Sequence, residues 1–153
     1  MVYGNGNTNI KKLKMRTINN IVLHCTATSQ KATVESIKNY WKSIGWKNPG
    51  YHYLIEPNGN INDLQPLDKP SNGVKGHNSD SIHISYIGGI DDEGKPKDNR
   101  TPQQILSTLS ILIGLKDSHP KAKICGHRDF YGVNKACPSF EVSEWLKHVK
   151  LNA

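Results

Sequence analysis

Short apolar runs separated by turn-forming residues recur along the chain and predict β-strands. Residues 18–25 contain an uninterrupted apolar triplet, which is typical of a buried strand. Residues 51–56 and 61–64 flank the sequence Pro-Asn-Gly-Asn, and this arrangement predicts a β-hairpin. Apolar residues alternate along residues 82–86, and a shorter apolar run covers residues 122–125. The pattern therefore predicts five strands.

Three other segments carry apolar residues three or four positions apart, as on one face of an α-helix. Thr33 caps the first segment and Gly45 ends it, whereas Thr101 begins the second with a capping box and a proline at the first helical position. The second helix ends near Ser118, and Ser139 caps the third. The residues expected to face the core are Val34, Ile37, Trp41 and Ile44, then Ile105, Leu109, Leu112 and Ile113, and finally Val142, Trp145, Leu146 and Val149.

The order of these elements predicts an α/β fold of the α+β kind, with a single domain. Strands and helices alternate, so we expect a mixed central β-sheet flanked by helices on both faces. A length of 153 residues suits one domain with one core. Residues 1–17 are rich in glycine and asparagine and then in lysine, which predicts a flexible N-terminal arm before a domain covering residues 18–153.

Composition narrows the class of protein without identifying a partner. Hydrophobic residues make up 35% of the chain and charged residues 22%, which is typical of a globular protein. The net charge of +7 favours polyanions such as nucleic acid, acidic lipid headgroups or bacterial wall polymers, and does not choose among them. The N-terminus has no apolar run, and residues 111–115, the longest apolar stretch, fall far short of the roughly 20 residues of a membrane span. We therefore expect synthesis in the cytoplasm, without a signal peptide or a membrane span.

Two histidines and a cysteine stand where a catalytic metal ion could be held. His24 lies at the end of the first strand, His127 follows the last strand and a glycine, and Cys137 precedes a proline and the start of a helix. His127 and Cys137 also share one loop. Catalytic zinc sites use three protein ligands, commonly histidine and cysteine, and leave one position open for water. The three residues are therefore candidate metal ligands, although they form no compact metal-binding motif.

Each candidate also has a purely structural interpretation. His24 could be a hydrogen-bonded core histidine, Cys137 a small buried apolar residue, and His127 a partner of Asp129. Cys25 adjoins His24 on the strand, so its side chain should point to the opposite face and pack in the core. The third cysteine lies in an apolar strand and is also expected to pack. Because the cysteines number three, a complete disulfide framework is excluded.

Five segments of the chain carry a family resemblance. They are Ile21-Val22-Leu23-His24-Cys25-Thr26-Ala27-Thr28, Gly50-Tyr51-His52-Tyr53-Leu54-Ile55, Gly76-His77-Asn78, Ser85-Tyr86-Ile87-Gly88-Gly89-Ile90-Asp91-Asp92 and Lys135-Ala136-Cys137-Pro138-Ser139-Phe140. Together, and in this order, they resemble the zinc-dependent N-acetylmuramoyl-L-alanine amidases, whose superfamily includes the small phage lysozymes and the peptidoglycan recognition proteins. The resemblance extends over about residues 18–149.

The resemblance implies both a site and a reaction. The family's two histidine ligands and one cysteine ligand fall on His24, His127 and Cys137, so the implied cofactor is Zn²⁺. Its catalytic tyrosine falls on Tyr51, and its catalytic lysine falls on Lys135. The implied substrate is bacterial peptidoglycan, cleaved at the amide between the lactyl group of N-acetylmuramic acid and L-alanine.

Other positions are assigned by the same resemblance. His77 and Asn78 lie in a polar loop where related proteins line the glycan groove, so they are expected to contact substrate. From its alternation with Tyr51 on the predicted strand, rather than from the resemblance, His52 is expected to support the site or to pack beneath it. The chain departs from many relatives at His83, where they carry a small glycine, and this change is expected to alter the floor of the groove.

Two further functions have to be weighed against amidase activity. A recognition module would bind muropeptide without cutting it, but such relatives commonly lack the cysteine that Cys137 supplies here. Some phage amidases also bind a polymerase, but nothing in this chain specifies such a partner, and no stacking-aromatic or helix-turn-helix pattern supports nucleic-acid binding. We therefore expect a monomeric amidase that acts on the cell wall after its release from the cytoplasm.

Overall fold

A five-stranded β-sheet forms the centre of the protein in a computed structural model that describes residues 16–153. The strands are β1 (Asn20–Cys25), β2 (Tyr53–Ile55), β3 (Ile61–Asp63), β4 (Ser81–Tyr86) and β5 (Lys123–Gly126). Their order across the sheet is β3-β2-β4-β1-β5. Only the pairing of β3 with β2 is antiparallel, so the sheet is mixed, as predicted.

Three α-helices and two short 3₁₀ turns complete the fold. They are α1 (Val34–Ser43), α2 (Pro102–Ser118) and α3 (Val142–His148), with 3₁₀ turns at Asn78–Asp80 and His127–Asp129. Thr33 and Thr101 cap α1 and α2 as predicted, each within a capping box. The prediction that Ser139 caps the third helix is wrong. The N-cap is Glu141, and the Ser139 hydroxyl instead donates a hydrogen bond to the Gly89 carbonyl at 2.8 Å.

Helices cover both faces of the sheet. Neighbouring residues of a strand point in opposite directions, so a single strand can contact helices on both sides. Ile55 packs in one apolar cluster with residues of α2 and α3, whereas its neighbour Leu54 packs in a second cluster with Ile37 and Trp41 of α1. The prediction of a mixed sheet between helices is confirmed. No helix within residues 16–153 is long and apolar enough to cross a membrane.

Most of the predicted arm lies outside the described residues. Arg16, which the sequence assigns to the end of that arm, donates hydrogen bonds of 2.9–3.0 Å to the carbonyls of Leu67, Asn78 and Ser81. These contacts attach the start of the described chain to the loop that precedes β4 and to the first residue of that strand.

The buried face of α2 differs from the predicted one. The residues of α2 that are buried are Gln104, Thr108, Leu112 and Leu115. Leu112 was predicted correctly, but Ile113 is 60% exposed. In α1 the prediction fails at Ile44. This residue is 44% exposed because it is the C-cap residue, beyond the last helical turn.

Gln104 is buried because its side chain bonds to the sheet. Its amide nitrogen donates to the carbonyls of Ile55 and Ile87 at 3.2 and 3.0 Å, and its amide oxygen accepts the Thr101 N–H at 3.0 Å. A buried carbonyl without a partner is costly, so these bonds stabilise the contact between α2 and the ends of β2 and β4. Because Gln104 is buried, the face of α2 that packs on the sheet differs from the face that the apolar residues alone predict.

The substitution Gln104→Ala should therefore destabilise the fold. It removes both donors to the sheet and leaves the Ile87 carbonyl unpaired, for an expected loss of about 1–3 kcal/mol in the free energy of unfolding. Chemical denaturation monitored by circular dichroism measures this loss. The control is Gln103→Ala at the exposed neighbouring position, which should change stability by no more than about 0.5 kcal/mol. Equal effects of the two substitutions would refute this role of Gln104.

Candidate active site

The predicted metal ligands meet at one edge of the sheet. His24 is the penultimate residue of β1, and His127 directly follows β5, the parallel neighbour of β1. Carboxyl ends of adjacent parallel strands lie at the same edge, which brings the two imidazoles together. Cys137 reaches them from the loop before α3. One ligand atom from each of the three residues lies within 4.8 Å of the others, so this cluster could hold a metal ion.

Backbone contacts fix the position of the cysteine. The Cys25 N–H donates to Cys137 Sγ at 3.2 Å, and the Arg128 N–H donates to the Cys137 carbonyl at 2.9 Å. Cys137 Sγ lies 3.7 Å from His24 Nδ1, which identifies Nδ1 as the imidazole atom that faces the cluster. The thiol is therefore held against the end of β1, and Cys137 also packs against the apolar core.

The structural alternative for His127 was a pairing with Asp129, and no hydrogen bond between these two side chains is found within residues 16–153. Asp129 Oδ2 accepts the Gly126 N–H at 2.7 Å, which closes the turn that begins at His127. Arg128 pairs with Glu141 at 3.0 Å. Both charged neighbours thus bond elsewhere and stabilise the loop around the imidazole of His127.

The other two cysteines do not belong to the cluster. Cys25 is buried in the apolar core beneath α2 and α3, on the face of β1 opposite to His24, as predicted from side-chain alternation, and its thiol contacts the Cys137 thiol from that side. Cys125 is half-buried in β5. All three cysteines are free thiols, so Cys25 and Cys125 form no disulfide.

The protonation states of the cluster suit metal binding. Burial lowers the pKa of His24 well below its ordinary value, and burial together with the positive charge of Lys135 lowers the pKa of His127 to about 4. Both imidazoles are therefore neutral at pH 7 and retain a lone pair. Contact with the Cys25 thiol and burial raise the pKa of Cys137, but a bound divalent cation deprotonates a coordinating thiol. Two neutral imidazoles and one thiolate are a donor set that fits zinc.

Tyr51 lies beside the ligand cluster. Its hydroxyl donates to the Cys25 carbonyl at 3.3 Å, and its ring centroid is 5.2 Å from that of His24. Trp41 packs against the other side of the ring at 5.5 Å. Burial, and to a smaller extent the nearby Cys137, raise the pKa of Tyr51, so its hydroxyl stays protonated and can donate a hydrogen bond.

Lys135 stands at the rim of the site. It is exposed, two residues before Cys137, and it lines the same cleft of about 410 Å³ as Tyr51 and the three candidate ligands. Its positive charge acts on the titration of His24, His127 and Cys137 alike. The ammonium group is therefore close enough to influence charge that develops at the cluster.

The two predicted substrate contacts have different surroundings. His77 is exposed, with its ring centroid 4.6 Å from that of Phe130. Asn78 lines an adjoining groove, but its side-chain oxygen points inward, where it accepts the Val74 N–H at 2.8 Å and lies 2.9 Å from His83 Nε2. The oxygen of Asn78 is thus already engaged within the protein.

Two buried histidines support the cluster from below. His83 Nδ1 lies 2.8 Å from His24 Nε2, and the His83 N–H donates to His52 Nδ1 at 3.0 Å. His52 Nε2 bonds in turn to the Lys69 carbonyl at 2.7 Å, and both imidazoles are fully buried. Sequence reasoning noted His83 only as a change in the groove floor. The alternation along β4 carries the missed signal, since it places His83 on the face that His24 occupies on β1.

Comparisons with known proteins agree with this geometry. The family model for N-acetylmuramoyl-L-alanine amidases matches residues 14–140. The endolysin of Enterobacteria phage K11 is 38% identical over 127 residues, which cover 82% of this chain and 83% of that protein. The endolysin of Escherichia phage T7 is 36% identical over 133 residues, covering 86% of this chain and 87% of the relative.

A solved structure shares the fold at lower sequence identity. The endolysin N-acetylmuramoyl-L-alanine amidase LysCS from Clostridium intestinale superposes with a TM-score of 0.75 at 23% identity, covering 90% of this chain and 86% of that one. With the match to the family and the two phage relatives, these findings show that the chain belongs to the N-acetylmuramoyl-L-alanine amidase family. It is an amidase that acts on peptidoglycan.

The buried His52 predicts how stability depends on pH. Burial lowers its pKa to about 4, whereas an unfolded histidine titrates near 6.5, so the unfolded chain binds the extra proton between these values. Stability is full above pH 6.5 and is lost as the pH falls towards 4. Between pH 7 and 5, His52 should account for a loss of about 2 kcal/mol in the free energy of unfolding.

Chemical denaturation of chelator-treated protein across this range measures the effect without a contribution from bound metal. His52→Gln should flatten the pH profile, and the control His148→Gln at the exposed end of α3 should leave it unchanged. A profile as steep in His52→Gln as in the unaltered protein would refute the assignment.

Proposed function

We propose that His24, His127 and Cys137 bind one zinc ion and that the protein uses it to hydrolyse the amide between N-acetylmuramic acid and L-alanine. The observation that carries this proposal is the convergence of the three ligand atoms within 4.8 Å at the base of an open cleft. Bound zinc would supply a hydroxide nucleophile near neutral pH and polarise the amide carbonyl.

Tyr51 is proposed to handle a proton during the reaction. Its hydroxyl is protonated, lies beside His24, and donates a long hydrogen bond, of 3.3 Å, to the Cys25 carbonyl. A phenol in this position can orient the attacking water or pass a proton to the leaving nitrogen. The packing of Trp41 against the ring keeps the hydroxyl directed at the cluster.

Lys135 is proposed to stabilise negative charge on the carbonyl oxygen. Its ammonium group lowers the pKa of His127, so its field reaches the candidate ligand cluster at which the substrate carbonyl would be polarised. The thiolate of Cys137 makes the ligand set less positive than three imidazoles would be. A cation placed beside that set compensates for the charge that develops in the transition state.

The biological role proposed for the protein is that of an endolysin. The relatives in phages K11 and T7 are endolysins of similar length. We propose that this protein likewise reaches the bacterial wall after release from the cytoplasm. The net charge of +7 would favour association with polyanionic wall polymers without a nucleic-acid partner, and a monomer provides every residue of the proposed site.

Digestion of purified peptidoglycan tests the proposal directly. The protein as isolated should release stem peptides that begin with L-alanine, identified by mass. Treatment with a chelator should abolish this release and added Zn²⁺ should restore it. Binding to peptidoglycan without release of any peptide would instead identify a recognition module, and release unaffected by chelation would refute the zinc site.

Substitutions separate the ligands from the residues proposed to act on substrate. Cys137→Ala should lose zinc and activity together. Tyr51→Phe and Lys135→Ala should retain one equivalent of zinc and lose activity by roughly 100-fold or more. Metal content by atomic absorption and the rate of peptide release are the two measurements.

Matched controls come from residues outside the cleft. Tyr53→Phe changes a tyrosine at the start of β2, on the face of the sheet opposite to His24, and Lys121→Ala removes an exposed cation from the loop before β5. Both should retain zinc and near-normal rates. Full turnover in Tyr51→Phe or Lys135→Ala would remove that residue from the mechanism.

A further inference from the structure

His24 can bind a metal ion through Nδ1 only if that nitrogen carries no proton. A neutral imidazole exists in two forms, with the proton on either nitrogen, and the form present is set by the hydrogen bond that the other nitrogen makes. The contact at His24 Nε2 therefore decides whether Nδ1 is available to the cluster.

A line of hydrogen bonds runs from a backbone N–H to His24. The Val74 N–H donates to Asn78 Oδ1 at 2.8 Å, Asn78 Oδ1 lies 2.9 Å from His83 Nε2, and His83 Nδ1 lies 2.8 Å from His24 Nε2. His83 and His24 are 0% and 2% exposed, so water does not compete for these contacts.

The backbone N–H fixes the direction of every bond in this line. Since Val74 can only donate, the Asn78 atom that faces it must be the carbonyl oxygen, an acceptor. His83 Nε2 must then donate to that oxygen. The neutral ring of His83 keeps its Nδ1 as an acceptor, and His24 Nε2 has to donate to it. The Nδ1 atom of His24 is left with its lone pair free, directed at Cys137.

We infer that Asn78 and His83 are positioning residues that hold His24 in the Nε2–H form with Nδ1 directed at the metal site. Asn78, expected to contact substrate, acts instead through the imidazole of His83 on the metal ligand His24. The inference rests on the zinc site proposed above.

The surroundings of His83 are shaped for this contact. A Cβ atom on Gly73 would overlap the imidazole ring of His83, so only glycine leaves room for the ring there. The His83 backbone is held from the other side by its bond to His52 Nδ1 at 3.0 Å. The position of the His83 ring is thus fixed by Gly73, His52 and the side-chain amide of Asn78.

The first test reads the proton positions in the unaltered protein. Zinc-free protein labelled with ¹⁵N in its histidines is examined by long-range ¹H–¹⁵N correlation at pH 7.5. Both His24 and His83 should carry their proton on Nε2 and none on Nδ1. A proton on Nδ1 of either ring overturns the inference, and this measurement needs neither zinc nor activity.

The second test uses a pair of substitutions at one position. Asn78→Ala removes the acceptor, whereas Asn78→Asp keeps an oxygen in its place. Competition for Zn²⁺ with a chromophoric chelator should show affinity about 10–100-fold weaker in Asn78→Ala and within about 3-fold of normal in Asn78→Asp. Ser81→Ala, at another buried polar residue of β4, is the control and should bind zinc normally.

Kinetics distinguish positioning from substrate contact. With saturating zinc, Asn78→Ala should show a lower kcat and an unchanged KM. A raised KM with normal zinc affinity would make Asn78 a substrate contact and overturn the inference. If instead the unaltered protein binds no zinc, the proposed function fails, while the proton positions in the first test still decide whether the line of hydrogen bonds exists.

Discussion

The parallel pairing of β1 with two neighbours is the constraint on which the site depends. β1 lies between β4 and β5, and it is parallel to both. Its carboxyl end therefore lies between the loop after β5 on one side and β4 on the other. His24 contacts His127 from the loop after β5, and it contacts His83 from β4. An edge strand would offer only one of these neighbours.

The same placement creates a cost that the surrounding residues offset. A central strand in a sheet covered on both faces is normally apolar, yet β1 and β4 bury two imidazoles, those of His24 and His83, on one face. Buried polar groups without partners would destabilise the fold by an amount comparable with the contacts that hold it together. Here each imidazole nitrogen that faces inward has a partner, and the nitrogens left over point towards the cleft. One set of hydrogen bonds thus pairs the buried imidazole nitrogens and leaves a nitrogen of His24 free to bind a metal ion.

Sequence reasoning succeeded where one local rule decides the outcome. Alternation along β1 was enough to predict that His24 and Cys25 face opposite ways, and cap sequences located the starts of α1 and α2. It failed where a hydrogen bond joins residues far apart in the chain. Gln104 is buried because it bonds to a carbonyl 49 residues away, which no pattern of apolar residues reveals. Ser139 does not cap α3 for the same reason, since its hydroxyl bonds to a carbonyl 50 residues away.

His83 shows how a departure at one position is accommodated by residues elsewhere. An imidazole is too large for that position unless the facing residue has no side chain, and Gly73 provides that space. An imidazole buried there also needs a partner for each nitrogen, and Asn78 and His24 provide them. Replacing His83 by glycine alone would leave a cavity, remove one of the two hydrogen bonds to the Asn78 oxygen and leave the His24 Nε2 atom unpaired. The four residues therefore form one unit, in which the size of one side chain and the orientation of a metal ligand are linked.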